Sequence, residues 1–135
     1  MKRVIFFQVK NSKEKIPYIC NIAKKQFDLN HRLLIRTSNE TSSQFINKIL
    51  WSYPSTSFLP HQISLTPCEE IICITHLPLN PNGAKVCFNL TDKSLLDDCF
   101  TVIYDFESPR QAEAGDSNIS KLNEYKEAQF SIASF

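Results

Sequence analysis

The first fifty residues alternate between two apolar runs and two amphipathic segments, and this pattern constrains the fold more than any other feature of the chain. Residues 4–9 and 32–37 are short runs of mostly apolar side chains, typical of strands that are buried on both faces of a sheet. Between them, apolar residues recur at helical spacing and predict an amphipathic helix over about residues 15–27. A strand, a helix and a second strand in this order imply parallel strands joined by a right-handed crossover.

The rest of the chain extends the same pattern. Ser38 or Asn39 can cap a second helix that runs through Leu50, and Pro54 forbids its continuation. Strands are predicted over residues 71–75, 85–90 and 101–106, of which the first two form either a hairpin or two strands separated by a longer excursion. A short helix is predicted over residues 92–99, a loop over 107–117, and a last helix over 118–129 that ends in an apolar tail.

These elements predict one α/β domain over residues 1–135, with three layers: a mostly parallel sheet of about five strands, flanked by helices on both faces. Such folds often bind nucleotides where a glycine-rich turn follows the first strand. This chain has two glycines, Gly83 and Gly115, and neither follows the first strand. We therefore expect a fold that resembles nucleotide-binding domains but lacks a phosphate loop.

No motif in the chain predicts catalysis. The three histidines lack the spacing of metal ligands, the five cysteines form no CxxC pair, and no GxSxG elbow occurs. We therefore expect no catalytic residue, no metal and no cofactor, and we expect His61 to hold a loop backbone in place. An α/β enzyme or a small-ligand-binding domain with an unrecognised site stays open as the alternative, because catalytic triads assemble from distant positions.

The cysteines and the N-terminal residues indicate where in the cell the protein is expected. Every cysteine has apolar neighbours, which predicts reduced, buried thiols in a cytoplasmic protein. The first residues resemble the start of a signal peptide, but Lys10 interrupts the apolar run at once, so we expect a strand there. No run of about 18 apolar residues occurs, so we expect no membrane span.

Charge is unevenly distributed along the chain. Residues 1–50 hold ten Lys and Arg against three Asp and Glu, whereas residues 51–135 hold five against eleven. The net charge of +1 does not suit a chain that binds nucleic acid strongly by itself. A solvated surface of uneven sign explains this distribution, and so does a local basic patch that meets an acidic partner.

The segment LWSYPSTSFLPH at residues 50–61 combines two prolines with large apolar side chains. We expect Tyr53 to fold into the core. Trp51 and Phe58 either close the core in the same way or form aromatic anchors for another protein, because aromatic residues dominate the energetics of interfaces. Proline would reduce the entropy that such a loop loses on binding.

The same segment resembles a known family. LW at residues 50–51 followed by SFLPH at 57–61 resembles the chi subunit of bacterial DNA polymerase III. The resemblance continues in order through VIFFQV, IPYICNIAKKQFDLNHRLLIRT and TVIYDF to the tyrosine–lysine step in EYK at residues 124–126. It implies a non-catalytic accessory subunit of the clamp-loader complex, with an α/β fold that lacks nucleotide chemistry.

Two protein partners follow from the resemblance. It implies that one side joins the psi subunit through an aromatic platform, here Trp51, Phe58, Leu59 and Pro60, where a helicase can bind instead. The other side would grip the acidic, phenylalanine-ending C-terminal tail of single-stranded DNA-binding protein. A chi-like protein that has lost its clamp-loader role is a further hypothesis.

The resemblance assigns tail binding to Lys121, Tyr125 and Lys126 in the last helix. Where the family has an arginine three residues before this tyrosine, the chain has Leu122, and Asn118 replaces a basic residue seven before it. Lysine lacks the bidentate fork by which arginine binds a carboxylate. We therefore expect weaker or rearranged binding.

A rearranged pocket could include a cation from another part of the chain. Arg32 and Arg36 are the candidates, because the pocket needs one or two cations beside an apolar hole. Binding of this kind should weaken as the salt concentration rises.

Overall fold

The computed structural model describes residues 2–97, 99–107 and 121–135. Its strands are β1 (Arg3–Gln8), β2 (Leu33–Arg36), β3 (His61–Ile63), β4 (Ile72–Thr75), β5 (Val86–Asn89), β6 (Val102–Glu107) and β7 (Ser131–Ser134). Its helices are α1 (Lys15–Asp28), α2 (Glu40–Ser52) and α3, of which residues 121–127 are described. A 3-10 turn, Ser12–Glu14, precedes α1.

The seven strands form one sheet in the order β3-β4-β2-β5-β6-β1-β7. Each of the six neighbouring pairs runs parallel. The predicted α/β fold with a mostly parallel sheet is therefore confirmed, with seven strands rather than about five.

The two faces of the sheet have separate apolar cores. Leu33 and Ile35 of β2 pack in a cluster with residues of α1 and α2, whereas Leu34 between them packs in a second cluster with Tyr125 and Phe130. This alternation follows from the period of two in a strand. Helices therefore cover both faces, as expected for three layers.

Local signals fix the ends of α2. The side chain of Asn39 accepts a hydrogen bond from the backbone N–H of Ser42 at 2.8 Å, which caps the first turn. At the other end Tyr53 is already extended, because the proline that follows it excludes the helical conformation.

The structure differs from the predicted secondary structure in two respects and decides between two options in a third. The strands β3 and β7 were not predicted, because each is short and mixes polar with apolar residues. Of the two options for residues 71–75 and 85–90, the hairpin is excluded and the separated strands are confirmed, since β4 and β5 lie on either side of β2 and parallel to it.

The other difference is the helix predicted over residues 92–99, whose described residues are not helical. The side chain of Asn89 accepts from the backbone N–H of Thr91 and donates to the carbonyl of Lys93, so a side-chain-stabilised turn replaces the first helical turn. The predicted loop over 107–117 and the start of the last helix, 118–120, lie outside the described residues apart from Glu107, which ends β6.

The cysteines depart in part from the expectation of burial. All five are free thiols, as predicted, and Cys20, Cys73 and Cys87 are buried. Cys68 is half-buried and Cys99 is exposed. In the part of the chain that the structure describes, no helix has the length and apolarity needed to cross a membrane.

Candidate protein-interaction sites

The segment between α2 and β3 exposes two large aromatic side chains. Trp51 lies in the last turn of α2, one residue beyond the predicted helix, and 48% of its surface is exposed. Phe58 lies in the turn that follows, and 95% of its surface is exposed. The structure therefore places both residues on the surface and not in the core.

Buried polar contacts hold this segment in one conformation. The Thr56 hydroxyl is buried and donates to the carbonyl of Leu50 at 2.7 Å. The ring of His61 contacts the carbonyl of Leu59 at 2.7 Å and that of Asn47 at 3.3 Å, which is the loop-holding role that the sequence predicted. The ring centroids of Trp51 and His61 are 4.1 Å apart, so this network also supports the exposed tryptophan.

Two other residues of the segment face inward. Leu59 is 4% exposed and belongs to the core cluster beneath α1 and α2, which corrects its assignment to the aromatic platform. Tyr53 is half-buried against the same cluster, as expected. Pro60, the fourth residue of the predicted platform, is exposed. The exposed surface is therefore Trp51, Phe58 and Pro60, fixed from below by Leu59.

The last helix, α3, is held to the sheet by a buried polar network. The Tyr125 hydroxyl is fully buried, donates to a carboxylate oxygen of Asp105 at 3.0 Å and accepts from the backbone N–H of Leu95 at 3.0 Å. Lys121 is 7% exposed and donates to the other Asp105 oxygen at 2.9 Å and to the carbonyl of Thr91 at 2.8 Å. Each of these groups thus has a partner, as buried polar groups require.

Burial shifts the pKa values of two side chains in this network. Burial raises the pKa of Asp105, and the ammonium of Lys121 opposes that rise. Burial, together with the charge of Asp105, raises the pKa of Tyr125. The tyrosine therefore stays protonated and keeps its role as a donor to the carboxylate.

The network corrects the expected geometry of the tail pocket. Lys121 and Tyr125 lie in the interior, where they fasten α3 to the sheet, and Lys126 is the exposed member of the predicted set. The two arginines considered for the pocket make contacts of their own: Arg32 donates one N–H group to the carbonyl of Asn82, and Arg36 donates to that of Leu79, each at 2.8 Å. Tail binding itself stays a prediction.

Asp105 is the buried residue that the sequence analysis missed. It stands in the apolar run TVIYDF, and it is 1% exposed. A carboxylate in such a run predicts a buried partner. The lysine that supplies it is 16 residues further along, which the sequence alone does not indicate. Among the described residues, no group of three or more His, Cys, Asp or Glu side chains is arranged to hold a metal ion.

Comparison with known proteins agrees with the resemblance found in the sequence. The family described as "DNA polymerase III chi subunit, HolC" matches residues 1–132. A protein of Rickettsia prowazekii (strain Madrid E), described as "Probable DNA polymerase III subunit chi", is 31% identical over 70 residues. That alignment covers 50% of this chain and 42% of the relative.

The family match extends over nearly all of the chain, from β1 through the segment before β3 to β7. The family consists of accessory subunits of a bacterial DNA polymerase that acts in DNA replication. The chain belongs to the DNA polymerase III chi subunit family.

Proposed function

We propose that this protein is a non-catalytic adaptor of the cytoplasmic clamp-loader complex, which binds the psi subunit at one end and the tail of single-stranded DNA-binding protein at the other. The observation that carries the proposal is the exposure of Trp51 and Phe58 on a segment whose backbone is fixed by buried contacts. Exposed aromatic side chains on a pre-organised segment provide binding energy at low entropic cost.

The aromatic pair is suited to a partner surface with apolar pockets. The ring of Trp51 contacts that of His61 at a tilt of 38°, and the tryptophan therefore has little freedom to lose on binding. Phe58 exposes 95% of its surface, so nearly the whole ring is available for burial by a partner. We assign the psi contact to these two residues and to Pro60.

The test of this contact is binding of a purified psi subunit by isothermal titration calorimetry. Trp51→Ala and Phe58→Ala should each weaken binding by about 2 kcal/mol or more, roughly thirtyfold. Phe45→Ala is the matched control, because Phe45 also lies on α2 and is 58% exposed. Equal losses in all three variants, or none, would leave the proposed psi contact without support.

For the tail we propose a contact centred on Lys126, with Lys121 and Tyr125 fixing the helix that presents it. The exposed ammonium of Lys126 suits the terminal carboxylate or an acidic side chain of the tail. With one exposed lysine in place of the family's arginine, we expect weak and salt-sensitive binding.

Titration with a peptide that copies the acidic, phenylalanine-ending tail tests this contact. Lys126→Glu should weaken binding of that peptide by roughly tenfold, as expected for loss of a charge-assisted hydrogen bond. Lys13→Glu, at an exposed lysine in the 3-10 turn before α1, is the matched control. Binding that survives Lys126→Glu unchanged would exclude this residue from the tail site.

A further inference from the structure

A second region of the surface is strongly basic and lies apart from both proposed contacts. A cleft of about 610 Å³ opens at the amino ends of β1, β5 and β6, beside the C-terminal turn of α1. Five basic side chains line this cleft, and we call it the basic cleft: Arg3, Lys25, His31, Arg32 and Lys85. No carboxylate of the described residues is among its lining.

The basic side chains of the cleft are not neutralised within the described chain. The ion pairs of that part join Lys24 to Asp28, Arg36 to Asp97 and Lys121 to Asp105, and none involves a residue of the basic cleft. Arg32 is held by a backbone carbonyl, which orients its guanidinium but leaves its charge unpaired. Concentrated, unpaired positive charge in a concave surface attracts an anionic ligand.

The floor of the cleft contains a buried acceptor without a donor. Gln26 is 4% exposed, lines the cleft, and its Oε1 atom has no hydrogen-bond partner. A buried acceptor in this state costs free energy unless a ligand donates to it. Backbone N–H groups of a peptide are such donors.

The lining also argues against single-stranded nucleic acid. Sites of that kind combine cations with exposed aromatic rings on which the bases stack. Among the described lining residues no Phe or Trp is present, and Tyr104 is only 6% exposed. The volume falls in the range that a short peptide segment or a compact ligand fills, roughly 300–1,000 Å³.

From these observations we propose that the basic cleft binds a short acidic peptide segment of a partner protein. Carboxylates of the peptide pair with Arg32, Lys85 and their basic neighbours, and a peptide N–H donates to Gln26. This site is distinct from the contact proposed for Lys126, and it requires neither a free C-terminal carboxylate nor a terminal phenylalanine.

The test uses fluorescence anisotropy with an acetylated, amidated hexaglutamate peptide at low salt, with hexaglutamine as the neutral control. The double variant Arg32→Glu/Lys85→Glu should weaken binding of hexaglutamate by roughly tenfold or more. Lys10→Glu/Lys13→Glu makes the same change of net charge at exposed lysines outside the cleft, and should weaken binding by less than about twofold. Circular dichroism checks that both variants are folded.

Two outcomes would overturn the proposal. Equal weakening by the two double variants, or no binding of hexaglutamate, would show that the cleft does not select acidic peptides. A six-residue oligothymidylate that binds more tightly than hexaglutamate, and is lost with Arg32→Glu/Lys85→Glu, would assign the cleft to nucleic acid. Because the probe lacks a terminal phenylalanine and a free carboxylate, failure here leaves the Lys126 experiment unaffected.

Discussion

Phe58 and Leu59 are neighbours in sequence with opposite environments. The ring of Phe58 is 95% exposed, whereas Leu59 is 4% exposed within the core under α2. The sequence predicted that this segment binds a partner, but it assigned both residues to the surface. A pattern of residue types does not show which side of a turn each side chain occupies. Substitution of Phe58 should therefore affect partner binding, whereas substitution of Leu59 should affect stability.

Leu59→Ala should lower the free energy of unfolding by about 2–5 kcal/mol, because it leaves a cavity in a packed core. Phe58→Ala should change it by less than about 0.5 kcal/mol, since an exposed ring contributes little to folding. Urea denaturation of both variants measures this difference. A loss for Phe58→Ala as large as that for Leu59→Ala would show that Phe58 packs in the core and is not available to a partner.

A buried thiol leads us to expect that the folded state loses stability as the pH rises. Cys87 is fully buried in β5, and burial raises the pKa of its thiol above the value of about 8.5 in an unfolded chain. As the pH rises past about 8.5, the unfolded state loses this proton while the folded state keeps it. Stability should therefore fall, by up to about 1.4 kcal/mol per pH unit from this group.

Denaturation between pH 7 and 10 tests the contribution of the thiol. Cys87→Ala should have a shallower loss of stability with rising pH than the wild type. Cys99→Ala, which changes an exposed cysteine, should retain the wild-type slope. The assignment would be contradicted by equal slopes for wild type and Cys87→Ala.

At the scale of elements, α3 is attached to the sheet by charge as well as by apolar packing. Asp105 of β6 binds both Lys121 and Tyr125 of this helix, and all three side chains are buried. Removal of one partner from such a pair leaves an uncompensated charge in the interior. The helix that presents Lys126 therefore depends on the network beneath it.

Lys121→Met should lower the free energy of unfolding by about 3–5 kcal/mol, because it leaves the carboxylate of Asp105 buried without its counter-ion. Lys126→Met, in the same helix at an exposed position, should change it by less than about 0.5 kcal/mol. Chemical denaturation measures both. The double variant Asp105→Asn/Lys121→Met should be more stable than Lys121→Met alone, because it removes both charges of the pair. A double variant whose loss of stability equals the sum of the two single losses would contradict the pairing.

Strong periodic segments were predictable and weak ones were not. The bounds of α1 and of the five inner strands lie within one residue of those expected, because long apolar runs and helical spacing determine them. The edge strands β3 and β7 were missed, since each has three or four residues and takes its conformation from pairing with a neighbour. Such pairing is a tertiary effect that leaves little periodicity in the sequence.

Across the whole molecule, the two proposed contacts belong to segments that lead into opposite edge strands of the sheet. The segment of Trp51 and Phe58 leads into β3, one edge strand, and α3 leads into β7, the other edge strand. Six strand spacings separate these edges, roughly 29 Å at about 4.8 Å each. This separation supports the proposal that two partners bind at the same time, as an adaptor requires.

The fold class and the positions of the aromatic pair were predictable from the sequence. Whether each candidate side chain is exposed or buried was not. Family resemblance placed candidate residues in two separate segments of the chain, whereas the structure alone distinguishes exposed Lys126 from buried Lys121 and Tyr125. The basic cleft also escaped the sequence, because Arg3, Arg32 and Lys85 are far apart in the chain and meet only through the parallel sheet.

An adaptor must bind its two partners at once. The most direct measurement is anisotropy of a labelled, phenylalanine-ending tail peptide titrated with this protein, alone and with saturating psi subunit. We predict an increased final anisotropy with psi, with a dissociation constant for the peptide that changes by less than about twofold, as for independent sites. Release of the peptide by psi, or failure of psi to join the complex, would contradict the adaptor.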